Sequence, residues 1–126
     1  MRPNLGELSV RHDREHEVPV LRLCGDIDLA TRDTVEAALS VRLRRGPELL
    51  VVDLNEVAFV GSCGLVLLAE ARERARAAGG RLLVACRVPA VLRAMEVTGL
   101  LTVIAPYPTV SDALASAIQI PAPRVP

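Results

Sequence analysis

The sequence predicts one α/β domain: a mixed sheet with mainly parallel inner strands and helices packed on it. The chain has 126 residues, a length typical of a single domain. Hydrophobic residues make up 51% and aromatic residues only 2%, so the core must be aliphatic. Short apolar runs alternate with segments of helical period, which is the pattern of strands joined by right-handed crossover helices.

A hairpin is predicted at the start of the chain. Leu8 to Arg11 has the character of a short strand, and the polar stretch from Arg11 to Glu17 is predicted to be the hairpin loop. A second strand follows from Val18 and ends at Gly25. Pro19 indicates that the start of this strand lies at an edge of the sheet, because proline has no backbone N–H to donate to a neighbouring strand.

A helix and a buried strand come next. The helix spans about residues 30–45, with Thr31 as a plausible N-cap and Gly46-Pro47 as its stop. Its apolar stripe contains Val35, Ala38, Leu39 and Leu43. Glu48 to Leu54 is a nearly continuous apolar run, which is typical of a strand buried on both faces. We expect the following segment to be a link with buried anchors at Val57 and Phe59.

The second half alternates in the same way. A helix is predicted from Ser62 or Cys63 to Gly79-Gly80, and a strand from Arg81 to Cys86. A helix from Pro89 to Gly99 and a short strand from Leu101 to Ile104 follow. The last predicted helix begins at the capping box Thr109–Asp112 and ends at Ile118. We therefore expect a domain over residues 1–118 and a flexible tail over 119–126.

Composition excludes several classes of function. The net charge is zero and aromatic residues are scarce, which disfavours a nucleic-acid partner. Three separated cysteines without a CxxC motif indicate neither a disulfide framework nor a zinc site. No segment resembles a signal peptide or the roughly 20 apolar residues of a membrane span. We expect a cytoplasmic protein with no membrane partner, metal or cofactor.

The stretch FVGSCGL, residues 59–65, places a hydroxyl and a thiol at a helix start. Ser62 has three interpretations: a helix N-cap, a nucleophile, or a residue that another protein modifies. A serine hydrolase needs a base, and the two histidines, His12 and His16, lie in the polar N-terminal segment. A reactive Cys63 has no resolving cysteine nearby in the sequence. Phosphate-binding glycine motifs are absent, so modification by another protein is favoured.

Three longer segments match one known pattern. LRLCGDIDLAT has a strand followed by Gly-acid-x-Asp, and VVDLNEVAFVGSCGLVLL follows the signature Phe-x-Asp-Ser-Ser-Gly-Leu. GGRLLVACRVPAVLRAMEVTGLL has a Gly-x-x-Leu-x-Leu strand and a proline-bearing helix that ends in Thr-Gly-Leu. Over about residues 8–117 the sequence therefore resembles the STAS domains of anti-sigma-factor antagonists.

This resemblance implies a bacterial STAS-like fold and a non-enzymatic role in transcription regulation. Such antagonists bind a serine-kinase anti-sigma factor of the ATPase type and free the sigma factor by partner switching. The kinase phosphorylates the first serine of the signature, which matches Ser62, and a PP2C-type phosphatase reverses the reaction. The implied partner-binding residues are Asp26, Asp28, Gly61, Ser62, Cys63 and Gly64, and Asp53 matches the Asp that closes the central strand.

The sequence departs from the family signature at two positions. Gly61 stands where the family usually has Asp, and Cys63 replaces the second Ser. Without that carboxylate the kinase is expected to recognise Ser62 less well. The alternative is therefore a STAS interaction module that is poorly phosphorylated or not phosphorylated. Asp26 and Asp28 also have a structural interpretation, in which they end the strand and cap the next helix.

Overall fold

The computed structural model describes residues 8–117, which form a four-stranded mixed sheet and five helices. The elements are β1 (Leu8–Glu15), β2 (Val18–Ile27), α1 (Arg32–Arg44), β3 (Leu49–Val60), α2 (Ser62–Ala77), β4 (Arg81–Ala85), α3 (Pro89–Val97), α4 (Leu101–Ile104) and α5 (Val110–Ala117). The strand order is β1-β2-β3-β4, with β1 antiparallel to β2 and the other pairs parallel. The predicted fold class is confirmed. Ile118 and the predicted tail lie outside the described residues, so the domain boundary stays a prediction.

The sheet separates two apolar layers. The larger layer lies between the sheet and helices α1 to α4, and α5 covers part of the opposite face. Leu50, Val51 and Val52 of β3 have no exposed surface, because consecutive side chains point into the two different layers. Burying each such side chain contributes about 1.5–3 kcal/mol, which makes β3 the centre of the fold.

The polar stretch that was predicted to be a hairpin loop is mostly strand. β1 continues to Glu15, and the turn consists of His16 and Glu17, with φ of 51° and 67°. Two residues with positive φ match the twist of a tight hairpin. The polar side chains have partners across the sheet: Arg22 donates to Asp13 at 2.8 Å, to Asp53 at 2.7 Å and to Glu15 at 3.0 Å. Arg22 is on the face of the sheet that α5 covers only in part, and the ion network gives the polar side chains of β1 partners there.

Two other strand ends differ from the prediction. β2 continues through Gly25, which adopts φ of 123°, and β3 continues to Val60 instead of ending at Leu54. The pairing of β2 with β3 shifts register twice, and both shifts place an extra residue in β3. These irregularities are β-bulges, which extend the pairing through a segment that lacks regular alternation. The parallel pairing begins at Val20, so Pro19 has no β3 partner, as its sequence position predicted.

The predicted strand from Leu101 to Ile104 is wrong, because these residues form the short helix α4. One helical turn brings Leu101 and Ile104 to the same core-facing side, where Ile104 is buried and Leu101 packs against the larger layer. An alternating strand would have placed one of them outside. At the outer edge of β4, where a fifth strand would pair, there is a single β-bridge between Ala85 and Tyr107.

Candidate functional site

Ser62 is the first residue of α2, immediately after the end of β3. The N-cap is Gly61, whose N–H donates to Ile27 O at 2.8 Å and whose carbonyl accepts from the N–H groups of Gly64 and Leu65. The interpretation of Ser62 as the N-cap is therefore wrong, because β3 runs on to Val60 and the chain turns at Gly61. Ser62 is exposed, and its hydroxyl makes no hydrogen bond to any residue from 8 to 117.

Gly64 holds the start of α2 close to the sheet. A Cβ atom at this position would lie 2.5 Å from Ile27 Cγ2 and 2.9 Å from Val60 Cγ2, which is too close for any larger residue without rearrangement. Gly61 is different, because a Cβ atom there would be 3.8 Å from its nearest neighbours. Its φ of −82° is also open to any residue. Packing thus demands the glycine at 64, whereas it does not demand the one at 61.

An open cleft of about 480 Å³ lies beside the hydroxyl of Ser62. The residues that line it are Asp28, Leu29, Ala30, Phe59, Gly61, Ser62 and Cys63. Leu29 is 83% exposed and Phe59 is 53% exposed. Two large apolar side chains kept in water next to a free hydroxyl are typical of a surface that binds another protein.

The prediction that Phe59 is a buried anchor is wrong, although Val57 is buried as predicted. Regular alternation would place residues 57 and 59 on the same face. The second bulge falls between their pairings, since Gly25 pairs with Val57 and the next residue, Asp26, pairs with Phe59. Leu29 was missed entirely, because a single leucine in a polar loop carries no periodic signal.

The loop between β2 and α1 is fixed by Asp28 and Thr31. Asp28 Oδ1 accepts from the N–H groups of Ala30 at 2.9 Å and Thr31 at 3.1 Å. Thr31 occupies the N-cap position of α1, but its side chain does not accept a hydrogen bond from the first turn of the helix. Its hydroxyl instead donates to Asp26 O at 2.8 Å and accepts from the N–H of Asp28 at 3.0 Å. Asp28 therefore fixes the turn that precedes α1 and lines the cleft, but it does not cap the helix, so the structural interpretation holds only in part.

The other acidic residues singled out in the sequence lie outside this cleft. Asp26 is buried, with 6% of its surface exposed. Asp53 accepts from Arg22 Nη1 at 2.7 Å and from the N–H of Asn55 at 3.0 Å. Thus Asp28, Gly61, Ser62 and Cys63 come together at the cleft, Gly64 supports it from below, and Asp26 and Asp53 do not line it.

Among residues 8–117, no histidine lines the cleft beside Ser62. His16 lies in the turn at the start of β2, whereas Ser62 follows the end of the parallel strand β3. Cys24, Cys63 and Cys86 belong to different elements, and burial raises the pKa of the Cys86 thiol. Within residues 8–117 there is no cluster of three or more side chains suited to a metal ion. No helix in that range is long and apolar enough to span a bilayer.

The comparisons with known proteins agree on one family. Residues 9–113 match the STAS domain model. The chain is 42% identical over 57 residues to the anti-sigma-F factor antagonist RsfB of Mycobacterium tuberculosis, which covers 45% of this chain and 47% of RsfB. It therefore spans about half the length of that relative. It is 31% identical over 99 residues to the anti-sigma-F factor antagonist RsfA of the same organism, which covers 77% of each chain.

A solved structure extends this likeness to three dimensions. The crystal structure of an anti-sigma factor antagonist from Mycobacterium paratuberculosis superposes with a TM-score of 0.81 at 33% identity. The alignment covers 88% of this chain and 94% of that one. All three relatives are named for antagonism of an anti-sigma factor, and none of the names denotes an enzyme.

Proposed function

Because the chain belongs to the STAS domain family, we propose that it is an anti-sigma factor antagonist whose binding to a serine-kinase anti-sigma factor is switched off by phosphate on Ser62. One observation carries the proposal: an exposed hydroxyl at a helix start shares an open cleft with two exposed apolar side chains, Leu29 and Phe59. A partner that buries these side chains also covers Ser62, so the state of the hydroxyl controls the interface.

The unphosphorylated cleft suits a partner because Ser62 is neutral. Leu29 and Phe59 lose contact with water on binding, which favours association. A phosphoserine carries a charge of about −1.5 to −2 at neutral pH, and its burial in the same interface carries a large desolvation cost. In the free protein the phosphate is tolerated, since the start of α2 presents unpaired N–H groups and the positive end of the helix dipole.

The chain supplies the phosphate acceptor and the partner supplies the chemistry. In the transfer, Ser62 Oγ loses its proton and forms a bond to the γ-phosphorus of ATP, while the bond to the β-phosphate oxygen breaks and ADP leaves. The base and the metal ion belong to the kinase. A PP2C-type phosphatase then hydrolyses the phosphoserine and restores the neutral hydroxyl.

The test compares three variants in binding to a purified anti-sigma factor of the ATPase type. Ser62→Ala should bind like the wild type and accept no phosphate, and Ser62→Asp should weaken binding by about tenfold or more. Ser111→Asp is the matched control, because Ser111 is also exposed in the first turn of a helix but lies on α5, on the opposite face of the sheet. Equal binding by Ser62→Asp and Ser111→Asp would refute the switch.

Phosphosite mapping separates the switch from the alternative. Incubation with the kinase and ATP should place phosphate on Ser62 of the wild type and leave Ser62→Ala unlabelled. Capture of the anti-sigma factor without any phosphate on Ser62 would instead support a constitutive STAS interaction module, with Gly61 in place of Asp as the reason.

A further inference from the structure

A second cleft lies at the opposite end of the sheet from Ser62. It has a volume of about 600 Å³ and lies between the end of α1, the β1–β2 hairpin and the first residues of β3 and β4. Four arginines line it, Arg14, Arg42, Arg45 and Arg81, and so do Glu17 and Glu48, which form no ion pair with them. The antiparallel course of α1 against the strands brings Arg42 and Arg45 to this end.

These arginines lack anionic partners within residues 8–117. Arg42 Nε is buried without a hydrogen bond. Arg14 Nη1 donates to a backbone oxygen, that of Glu17, at 2.8 Å. No carboxylate of the described chain lies within ion-pair distance of Arg45 or Arg81. Arg22 shows the contrast, since three carboxylates surround it.

The arginines of the cleft lie close enough to repel one another. Burial and then the charges of Arg45 and Arg14 lower the pKa of Arg42. Arg42 and Arg45 also lower the pKa of His12, after the larger effect of burial. Cations that repel one another in a recess attract an anion from solution, because the low-dielectric walls focus their field.

Balancing the negative end of a helix dipole does not account for this cluster. Arg42 is in the last turn of α1 and Arg45 is its C-cap, so both compensate that dipole. Arg14 and Arg81, however, belong to strands. A solvated arginine also keeps its guanidinium in water, whereas Arg42 Nε is withdrawn from it.

We propose that this cleft binds a small phosphate monoester, with the arginines holding the phosphate and the apolar wall holding its organic group. Guanidinium groups bind phosphate oxygens in a bidentate manner and stay charged throughout the physiological range. The wall is formed by Val18, Pro19, Pro47 and Leu49. The volume lies within the range of small-molecule sites.

The test is a titration of the full-length protein with phenyl phosphate at constant ionic strength, followed by backbone amide NMR shifts and by calorimetry. We expect saturable binding with a Kd of about 1 mM or tighter. The shifts should concentrate at the amides of Gly46, Glu48 and Arg81 and leave Ser62 unchanged. The absence of saturation, or shifts spread over the whole surface, would overturn the proposal.

Two variants and a matched control assign the site. Arg42→Gln should weaken binding by about tenfold, because it removes a partly buried charged donor. Arg45→Gln, at an exposed position, should weaken it several-fold and keeps the test valid if Arg42→Gln unfolds the protein. Arg93→Gln removes the same charge from an exposed site on α3 and should have no effect. Equal affinities of all three variants would refute the site.

Inorganic phosphate tests the second half of the proposal. It contains the same anion without an organic group, so it should bind more weakly than phenyl phosphate if the apolar wall contributes. Equal affinities for the two probes would overturn the role given to Val18, Pro19, Pro47 and Leu49.

Discussion

The two ends of the sheet are built from the same elements but differ in chemistry. At the carboxyl ends of β2 and β3, the cleft beside Ser62 contains a neutral hydroxyl, two exposed apolar side chains and the carboxylate of Asp28. At the amino ends of β3 and β4, the cleft contains four arginines and two glutamates, an excess of two positive charges. Both clefts are open to solvent, so burial alone does not explain the difference.

The direction of the helices explains it. Each crossover helix runs antiparallel to the strands, so α2 begins at the end where Ser62 lies and α1 ends at the arginine cleft. Helix N-termini favour anions and C-termini favour cations. A serine at the first end is therefore placed to tolerate a phosphate, and arginines at the second end offset helix dipoles and remain available for a ligand. Under the two proposals, both clefts would take phosphate, the first as a covalent group on Ser62 and the second as part of a bound molecule.

The largest expected effect comes from removing the aromatic ring at the Ser62 end. Phe59→Ala should weaken binding to the anti-sigma factor by about ten- to a hundredfold, because exposed aromatic side chains at the centre of interfaces dominate affinity. The stability of the fold should change little, since the ring is 53% exposed. Calorimetric titration of the partner measures the affinity, and urea unfolding measures the stability.

Val97→Ala is the control for this experiment. Val97 is 78% exposed at the end of α3 and does not line the cleft beside Ser62. Its variant should bind the partner like the wild type. If Phe59→Ala and Val97→Ala bound equally well, the partner surface would have to lie elsewhere, and the contrast between the two ends would lose its functional meaning.

The next effect concerns the packing that supports Ser62. Gly64→Ala should lower the free energy of unfolding by about 1–3 kcal/mol, because its Cβ would meet Ile27 Cγ2 at 2.5 Å and the helix start must move from the sheet. Gly61→Ser is the matched control: its Cβ has room, and serine is a good N-cap, so a change of only a few tenths of a kcal/mol is expected. Urea unfolding of both variants measures the difference. Equal stabilities would show that the close approach at Gly64 is easily relaxed.

These residues also show what the sequence predicts well and what it does not. The buried strands and the apolar stripes of α1 and α2 follow from periodicity, because their side chains face a continuous core. The position of Ser62 at a helix start was predicted correctly, but its cap was assigned one residue too late. That error arose because the bulged end of β3, which carries the chain to Gly61, leaves no regular alternation in the sequence.

The arginine cleft could not be predicted, for a different reason. Its arginines come from β1, α1, the segment that follows α1, and β4, and only the mixed sheet topology brings them together. In the sequence each arginine is compatible with an ordinary solvated surface. The absence of anionic partners becomes visible once the positions of all carboxylates from residue 8 to residue 117 are known.

A smaller effect is expected from restoring the family's residue at position 61. Gly61→Asp should raise the free energy of unfolding by a few tenths of a kcal/mol, since Asp is a better N-cap than Gly and φ of −82° suits it. It should also speed phosphorylation of Ser62 if the carboxylate serves kinase recognition. Ala58→Asp adds the same charge at another exposed position of β3 and controls for electrostatics. A rate unchanged by Gly61→Asp would show that the kinase does not require that carboxylate.

The smallest effect should be a pH dependence at the arginine end. Because burial and the charges of Arg42 and Arg45 lower the pKa of His12, the folded protein binds fewer protons there than the unfolded chain at a pH just below the ordinary value of about 6.5. His12 therefore does not reduce the free energy of unfolding above about pH 6.5, and that free energy falls as the pH drops from about 6.5 toward the lowered pKa. The loss should stay below about 0.5 kcal/mol, because only a small part of the His12 side chain is buried and solvent screens the charges on the exposed part.

His12→Gln isolates this contribution. Urea unfolding at about pH 7.5 and about pH 5.5 measures how much the free energy of unfolding falls between the two values. Carboxylates contribute to this fall as well as His12, so the fall should be smaller in His12→Gln by the contribution of the histidine. Arg45→Gln should reduce the loss in the same direction, because it removes one of the repelling charges. An equal loss in the wild type and both variants would mean that His12 does not sense the arginines. The positive field of Arg42 and Arg45 would then not extend as far as His12.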